Sequence, residues 1–176
     1  MTLTQLAALG EAVGGLAVLV TLLYLAYQFQ QTAAIERTAG QRELLSRCRD
    51  WVELTTTHPD LVNVLRKAMA DWDSATPEEQ ERANGWMLSA ALQGEQALYM
   101  RRERLINEAS YRGFIGVVVA IAATPGGRQW WSHARAALGD DISDLVDEEI
   151  AHKPDAPSWT EIFPHLQLET PGDAAS

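Results

Sequence analysis

Cysteine is almost absent from this sequence, and so is any pattern typical of β-strands. Cys48 is the only cysteine among 176 residues, which excludes an intramolecular disulfide and a cysteine-based zinc or iron–sulfur site. A single thiol is typical of proteins in a reducing compartment. Because no run alternates apolar and polar side chains for long enough to form a strand, the sequence predicts an all-α fold.

Positive charge is also scarce. The chain carries 14 Lys and Arg against 24 Asp and Glu, a net charge of −10, and ten of the acidic residues lie in residues 140–176. Nucleic acid binding needs a basic surface that displaces counterions from phosphates, so we predict no nucleic acid partner. Anionic lipid headgroups repel an acidic segment, and we expect residues 140–176 to lie away from a bilayer.

Charge of either sign is nearly missing from the first 35 residues, where Glu11 is the only charged side chain. Residues 12–29, AVGGLAVLVTLLYLAYQF, are uncharged throughout. At a rise of about 1.5 Å per residue they extend for about 27 Å as a helix, close to the hydrocarbon thickness of a bilayer. Tyr24, Tyr27 and Gln28 lie near the end of the run, where amphipathic side chains favour the headgroup boundary. The segment therefore predicts one N-terminal transmembrane helix.

Two alternatives compete with a retained anchor: a buried central helix of a soluble domain, and a cleaved signal peptide. Soluble helices rarely stay apolar on every face over about five turns. The first ten residues contain no Lys or Arg, which a signal peptide requires. Arg37, Arg42, Arg47 and Arg49 follow the span, so the positive-inside rule predicts an outside N-terminus and a cytoplasmic domain.

Small residues mark one face of the anchor. Gly10 and Gly14 form a small-xxx-small pair with Gly15 beside it, a pattern that lets another helix approach closely. Glu11 lies next to this pair, either solvated at the interface or deeper and bound to a protein partner, because an ionised carboxylate is costly in hydrocarbon. Both arrangements favour a helix neighbour at the glycine face.

Helical patterns continue after the anchor. We expect the anchor helix to extend to about Thr56, where residues 58–60 (HPD) interrupt it. Residues 76–79 (TPEE) are typical of a helix start with a capping box. The helix that starts there is predicted to run to about Ile106. It should bury a face of mainly small residues: Met87, Ala90, Ala91, Gly94 and Leu98.

Residues 113–124 (GFIGVVVAIAAT) are apolar on all sides but too short to span a bilayer, which favours a central core helix over a re-entrant segment. The Pro-Gly at 125–126 is typical of a type II turn in which glycine takes a positive φ. Trp130 and Trp131 point about 100° apart on the next helix. We expect at most one of them in the core and the other at its edge or on a partner. Residues 140–152 predict a last, acidic helix.

Four prolines occur in residues 153–176 and predict an extended acidic tail. Its apolar side chains are Trp159, Ile162, Phe163 and Leu166. They make the tail too apolar for a solvated linker, so we expect it to lie against its own domain or against a neighbouring subunit. The predicted organisation is an anchor at 1–35, a helical cytoplasmic domain at 36–152 and this tail.

Four stretches occur together along the chain: GEAVGGLAVLVTLLYLAYQFQQ, HPDLVNVLRKA, EQALYMRRERLI and TPGGRQWW. With them the chain resembles a group of uncharacterised bacterial single-pass membrane proteins over most of residues 8–135. The resemblance implies a bacterial source and an anchor followed by helices, and hence the inner membrane as the location. It carries over no catalytic residue, because the group has no assigned chemistry.

Candidate catalytic and metal-binding residues are few. Glu149 and His152 form an E-x-x-H, which places two ligands on one helix face, but a di-iron bundle needs two such pairs and two further carboxylates. His58, His133 and His165 are scattered, and no H-E-x-x-H motif is present. No glycine-framed serine resembles a nucleophile elbow. We therefore expect that the protein is not an enzyme and that it binds no metal and no cofactor.

A basic cluster follows in the middle of the chain. Its members are Arg101, Arg102 and Arg104, with Arg112 close behind. The cluster is either a solvated face or a contact with anionic headgroups or an acidic partner surface. We assign the same contact to Arg37 and Arg42 beside the anchor.

The glycine-marked anchor, the surplus tryptophans and the apolar tail favour a structural role. We expect an accessory subunit of a bacterial membrane protein complex, such as a respiratory or photosynthetic one, that braces its neighbours in a hetero-complex rather than a homo-oligomer. The bilayer and other membrane subunits are its expected partners. Partner contacts are assigned to Glu11, Trp130, Trp131, Trp159 and Phe163. The alternative is a self-associating membrane-tethered module in signalling or stress response.

Overall fold

The computed structural model describes residues 3–153 and 155–167, apart from the side chains of residues 3–10, 12–13 and 33–38. All regular structure in these ranges is helical, and no strand occurs there, which confirms the all-α prediction. The chain divides into two compact units, Met1–Gly40 and Gln41–Ser176. The second is called the helical unit below.

The described residues contain seven α-helices and three 3₁₀ turns. The helices are α1 (Leu3–Thr57), α2 (Pro59–Ala70), α3 (Pro77–Arg102), α4 (Glu108–Ala122), α5 (Pro125–Ala134), α6 (Asp140–His152) and α7 (Trp159–Ile162). The 3₁₀ turns lie at Trp72–Ser74, Arg135–Ala137 and Pro164–Leu166. Within the described residues, no helix carries a stretch long and apolar enough to cross a bilayer.

The predicted helix starts are confirmed. Proline occupies the first position of α2, so α1 ends at Thr57 and α2 begins two residues later. At the start of α3, the Thr76 hydroxyl oxygen accepts the Glu79 N–H at 3.3 Å and the Glu79 carboxylate accepts the Thr76 N–H at 2.7 Å. Lys67 donates to the same carboxylate at 2.6 Å. This bond and the Thr76 N–H hold the pKa of Glu79 below its usual range, so the cap is ionised at neutral pH.

The core of the helical unit forms where α3 packs on α4. The small-residue face of α3 is buried as predicted: Met87, Ala90, Ala91, Gly94 and Leu98. A Cβ atom at Gly94 would lie 2.7 Å from Cγ2 of Val118 on α4. Any side chain here would require the Val118 methyl group to shift, so glycine favours the close approach of the two helices.

The predicted end of α3 at Ile106 is wrong, because the helix stops at Arg102. Arg104 takes a left-handed φ of 57°. The Leu105 N–H then donates to the Met100 carbonyl at 2.7 Å, and the Arg104 N–H donates to the Arg101 carbonyl at 3.0 Å. These two bonds form a Schellman motif, which satisfies the last helix carbonyls and turns the chain.

Replacing Arg104 with glycine should raise the free energy of unfolding by about 0.5–1 kcal/mol, because an L-residue in the left-handed region is strained and glycine is not. Urea unfolding of the full chain followed by tryptophan fluorescence measures this, since all six tryptophans lie in the helical unit. Arg104→Ala is the matched control, as it removes the same exposed side chain without relieving φ. Equal stabilities of the two variants would refute the strain argument.

The type II turn predicted at residues 125–126 is also wrong. No glycine of the described chain has a positive φ, and Pro125 is the first residue of α5. The Thr124 side chain is fully buried, accepts the Gly127 N–H at 3.0 Å and donates to the Ile121 carbonyl at 2.8 Å. This N-cap draws Pro125 and Gly126 into the first turn of the helix.

The tail is not extended throughout its described part. It contains α7 and the turn Pro164–Leu166, and Leu166 is buried. Arg66 on α2 donates its Nε–H to the carbonyl of His165 at 2.7 Å. The tail therefore lies against its own domain as far as residue 167, and residues 168–176 lie outside the described part of the chain.

Candidate functional site

A groove of about 940 Å³ follows α4 on the helical unit. Asn107 caps the start of α4 by accepting the Ser110 N–H at 2.8 Å. Gly113, Gly116 and Val117 line the groove. A Cβ atom added at either glycine would meet nothing within 4 Å, so the absence of side chains keeps this face of α4 open.

The opposite wall is formed by α6 and the tail. Its apolar side chains are Leu145, Trp159, Ile162 and Phe163. The Glu161 carboxylate accepts hydrogen bonds from the N–H and the hydroxyl of Ser158, both at 2.7 Å, and these bonds fix the start of α7. They also hold the pKa of Glu161 below its usual range, so the cap persists at neutral pH.

Charged side chains gather where α4 begins. Arg101 donates to one oxygen of Glu108 at 2.8 Å, and Arg112 donates to the other at 3.0 Å. The hydrogen bonds from Arg112 and Arg101 hold the pKa of Glu108 below its usual range. The Arg101 guanidinium also lies 4.4 Å from the centroid of the Tyr111 ring, a cation–π contact. Two guanidinium groups thus share one carboxylate at this end of the groove.

The E-x-x-H pair on α6 does not converge on a common ligand position. The Glu149 carboxylate accepts from Lys153 at 2.5 Å, and Nδ1 of His152 lies 2.8 Å from the Glu148 carbonyl. Among the described residues, no group of three or more His, Cys, Asp or Glu could hold a metal ion. The groove itself combines apolar walls with several charged side chains, an arrangement that favours ligand binding.

Trp130 and Trp131 are both buried, at 2% and 5% exposure, so the prediction that at most one lies in the core is wrong. The reason is that α5 is enclosed on two sides. Trp130 donates its indole N–H to Asn84 of α3 at 3.0 Å, and Trp131 donates to Asp147 of α6 at 2.7 Å. Neither side chain is available for the partner contact assigned to it.

Trp159 and Phe163 belong to an aromatic cluster inside the helical unit. Trp51 and Trp86 stack with ring centroids 4.2 Å apart, and Trp159 meets both edge-on at 6.0 Å. Phe163 packs on Trp159 at 4.6 Å. Of the two predicted partner contacts here, Trp159 is mostly enclosed by its own chain, whereas Phe163 is 37% exposed and faces the groove.

The arginines predicted to contact lipid or a partner differ in their surroundings. Arg102 donates to Asp141 at 2.6 Å, which raises the pKa of Arg102 and lowers that of Asp141. Arg42 and Arg104 are exposed. The side chain of Arg37 lies outside the described residues. Arg101 and Arg102 are therefore each paired with a carboxylate of the helical unit, and both side chains stay about half exposed.

The residues singled out in the anchor lie on α1. Gly14 and Gly15 are exposed, and a Cβ atom at either would meet nothing within 4 Å. Glu11 is exposed as well. Gly10 lies outside the residues whose surroundings are described. The helix neighbour expected at this glycine face stays a prediction.

Sequence reasoning missed the groove and the aromatic cluster. The apolar run 113–124 predicts a helix enclosed on every side, whereas Gly113 and Gly116 leave one face open. The available signal was a pair of glycines three residues apart, which lie on the same helix face. For the cluster, Trp51 lies within the predicted extension of the anchor helix to about Thr56, but nothing in the local pattern pairs it with Trp86.

The groove, the aromatic cluster and the apolar part of α1 are the features from which a function can be inferred. The resemblance to bacterial single-pass membrane proteins stays a prediction. No family model matches the chain, and no curated protein or solved structure matches it.

Proposed function

We propose that this chain is an accessory subunit of a bacterial membrane protein complex, held to the bilayer by residues 12–29. The observation that carries the proposal is a set of large apolar side chains on α1 that are 41–73% exposed. They are Leu16, Val18, Leu19, Val20, Leu22, Leu23, Leu25 and Phe29.

Successive helix positions point about 100° apart, so these side chains face every direction and one flat neighbouring surface would leave several uncovered. Each gains about 1.5–3 kcal/mol when it is removed from water. Lipid hydrocarbon covers a helix from all sides, and this supports a bilayer as the surroundings. Ala12 and Val13 extend the uncharged run towards the N-terminus, and their side chains lie outside the described residues.

Thr21 and Gln28, two polar side chains of the run, are bonded within the helix. Thr21 donates its hydroxyl to the Ala17 carbonyl at 2.8 Å, and Gln28 donates to the Tyr24 hydroxyl at 2.9 Å. Internal bonding of this kind is needed in hydrocarbon, which offers no water to polar groups. It supports an apolar environment around this part of α1.

Two exposed apolar pairs on the helical unit support contact with other subunits. Leu45 and Val52 lie two turns apart on α1, and their exposed fractions are 53% and 48%. Leu92 and Tyr99 have the same spacing on α3, and their exposed fractions are 48% and 56%. Apolar surface of this kind is typical of interaction sites when it is contiguous. The arginines after the anchor support a cytoplasmic position for the helical unit.

Anchoring is tested by membrane fractionation of the full chain in a bacterial host. We expect it to remain with membranes through an alkaline carbonate wash. Leu19→Arg with Leu22→Arg should release it, because each arginine at the centre of a span costs about 2.5–3.5 kcal/mol. Leu45→Arg with Val52→Arg is the matched control and should stay bound. Wild-type protein in the soluble fraction, or release of both double variants alike, would refute the anchor.

The accessory role is tested by purification from the native membrane in mild detergent. We expect a different membrane protein to copurify in a fixed ratio. A cross-linked ladder that contains this chain alone would instead support a self-associating module. A free monomer without a stoichiometric partner would contradict both functions.

A further inference from the structure

We propose that the groove along α4 binds a free fatty acid, a single-chain anionic amphiphile, with its carboxylate at Arg101 and Arg112 and its chain along α4. The inference rests on the helical unit alone and goes beyond the proposed accessory role.

The groove has the dimensions of a lipid site. Its volume of about 940 Å³ lies at the upper end of the range for ligand pockets, about 300–1,000 Å³. It follows α4 from Glu108 to Ala120, which is about 18 Å at a rise of about 1.5 Å per residue. An extended acyl chain fits a course of this length better than a compact ring system does.

The floor of the groove is open because Gly113 and Gly116 carry no side chains there. Glycine is a poor helix former. At Gly94 it allows a close approach, since Cγ2 of Val118 would lie 2.7 Å from a Cβ atom there. Gly113 and Gly116 have no neighbour within 4 Å of a Cβ position. What they provide is space in the groove.

The charges of the groove favour an anion at one end. Arg101 and Arg112 share the single carboxylate of Glu108, which leaves one positive charge in surplus. The first turn of α4 lies at the same end, and the positive end of its dipole adds to the attraction. Lys153, which also lines the groove, is balanced by Glu149. Arg112 has a side chain that is 76% exposed and can turn towards a ligand.

Between its two ends the groove presents apolar side chains, among them Val117, Ile162 and Phe163. None of these can bond a polar ligand group, and burial of such a group without a partner is costly. The ligand that fits is charged at one end and apolar along the rest of its length. A fatty acid carboxylate has this form.

The test uses the full chain in nanodiscs of zwitterionic phosphatidylcholine, titrated with 9,10-dibromostearate. Bromine quenches the fluorescence of an indole that it contacts, and Trp159 lines the groove. We expect saturable quenching by the free acid. Its uncharged methyl ester should bind about two- to fivefold more weakly, the range for one exposed ion pair.

Three variants locate the site. Gly116→Leu fills the groove and should weaken binding about tenfold or more. Gly85→Leu is the control for this variant. Gly85 on α3 also has nothing within 4 Å of its Cβ position, but it is not part of the groove. The Gly85→Leu variant should bind the acid as the wild type does. Arg112→Gln should reduce affinity for the acid to that of the ester and leave the ester unaffected. Circular dichroism checks that all three variants are folded.

Linear quenching that is equal in the wild type and Gly116→Leu would overturn the proposal. Saturable quenching by a dibrominated phosphatidylcholine in the nanodisc, as strong as that by the free acid, would assign the groove to bilayer lipid instead. Binding of the acid only after removal of residues 168–176 would show that the C-terminal end of the chain occupies the groove. Either result contradicts a free fatty acid as the occupant.

Discussion

Replacing Gly126 with alanine should lower the free energy of unfolding of the helical unit by about 2–3 kcal/mol. The new Cβ atom would lie 1.9 Å from the carbonyl oxygen of Ala68 and 2.9 Å from the backbone nitrogen of Trp72. Both contacts are with backbone atoms, so relief requires α5 to move away from α2. The higher helix propensity of alanine, up to about 1 kcal/mol, offsets only part of this cost. Urea unfolding of the full chain followed by tryptophan fluorescence measures the change.

Gly85→Ala is the matched control for Gly126→Ala. Gly85 lies within α3, and a Cβ atom there meets nothing within 4 Å. Alanine should therefore stabilise the unit by about 0.5–1 kcal/mol through helix propensity alone. If both variants shift stability in the same direction, close approach at Gly126 is not what determines its effect.

Trp51→Ala should destabilise the helical unit by about 3–5 kcal/mol, the usual cost of removing a large buried aromatic side chain. Trp51 is 5% exposed, stacks on Trp86 and donates its indole N–H to the Trp86 carbonyl at 2.8 Å. The Nε1 atoms of Trp86 and Trp159 are buried without an acceptor among the described residues. Ring packing, more than hydrogen bonding, therefore holds the aromatic cluster together.

Far-ultraviolet circular dichroism should follow the unfolding of this variant, since the substitution removes one of the fluorophores. Val52→Ala provides the comparison, because Val52 is the next residue on α1 and is 48% exposed. It should change stability by no more than about 0.5 kcal/mol. A Trp51→Ala effect as small as that of Val52→Ala would contradict a stabilising role for the cluster.

The elements predicted well from sequence are those whose signals are local. The capping box at residues 76–79 contains both of its partners within four residues, and Pro59 marks the start of α2 by itself. At residues 125–126 the local signal is ambiguous, because proline followed by glycine fits a type II turn and a helix N-terminus equally well. The buried hydroxyl of Thr124 caps the helix N-terminus, and this contact stabilises the helix over the turn. The end of α3 was missed because its left-handed residue is Arg104, where glycine would have been the expected signal.

The candidate site could be predicted only in part, because three separate segments build it. Helical periodicity identifies which face of α4 is apolar but not which element lies opposite. Leu145 and Phe163 come to the groove from α6 and from the tail, and neither position carries a motif. Sequence reasoning did anticipate that the tail is too apolar for a solvated linker. The same reasoning left the arginines either on a solvated face or in contact with headgroups or an acidic partner, and it did not anticipate that Arg101 and Arg102 pair with Glu108 and Asp141.

The aromatic cluster also bears on how the chain folds during its synthesis. Trp51 and Trp86 leave the ribosome early, whereas Trp159 follows about 70 residues later, which at about 5–20 residues per second is an interval of several seconds. Helix formation and collapse take microseconds, so the first two rings can stack long before the third arrives. During that interval the nascent chain exposes the edge of a tryptophan pair to solvent. Chaperones that recognise apolar segments would therefore bind it most strongly before residue 159 emerges.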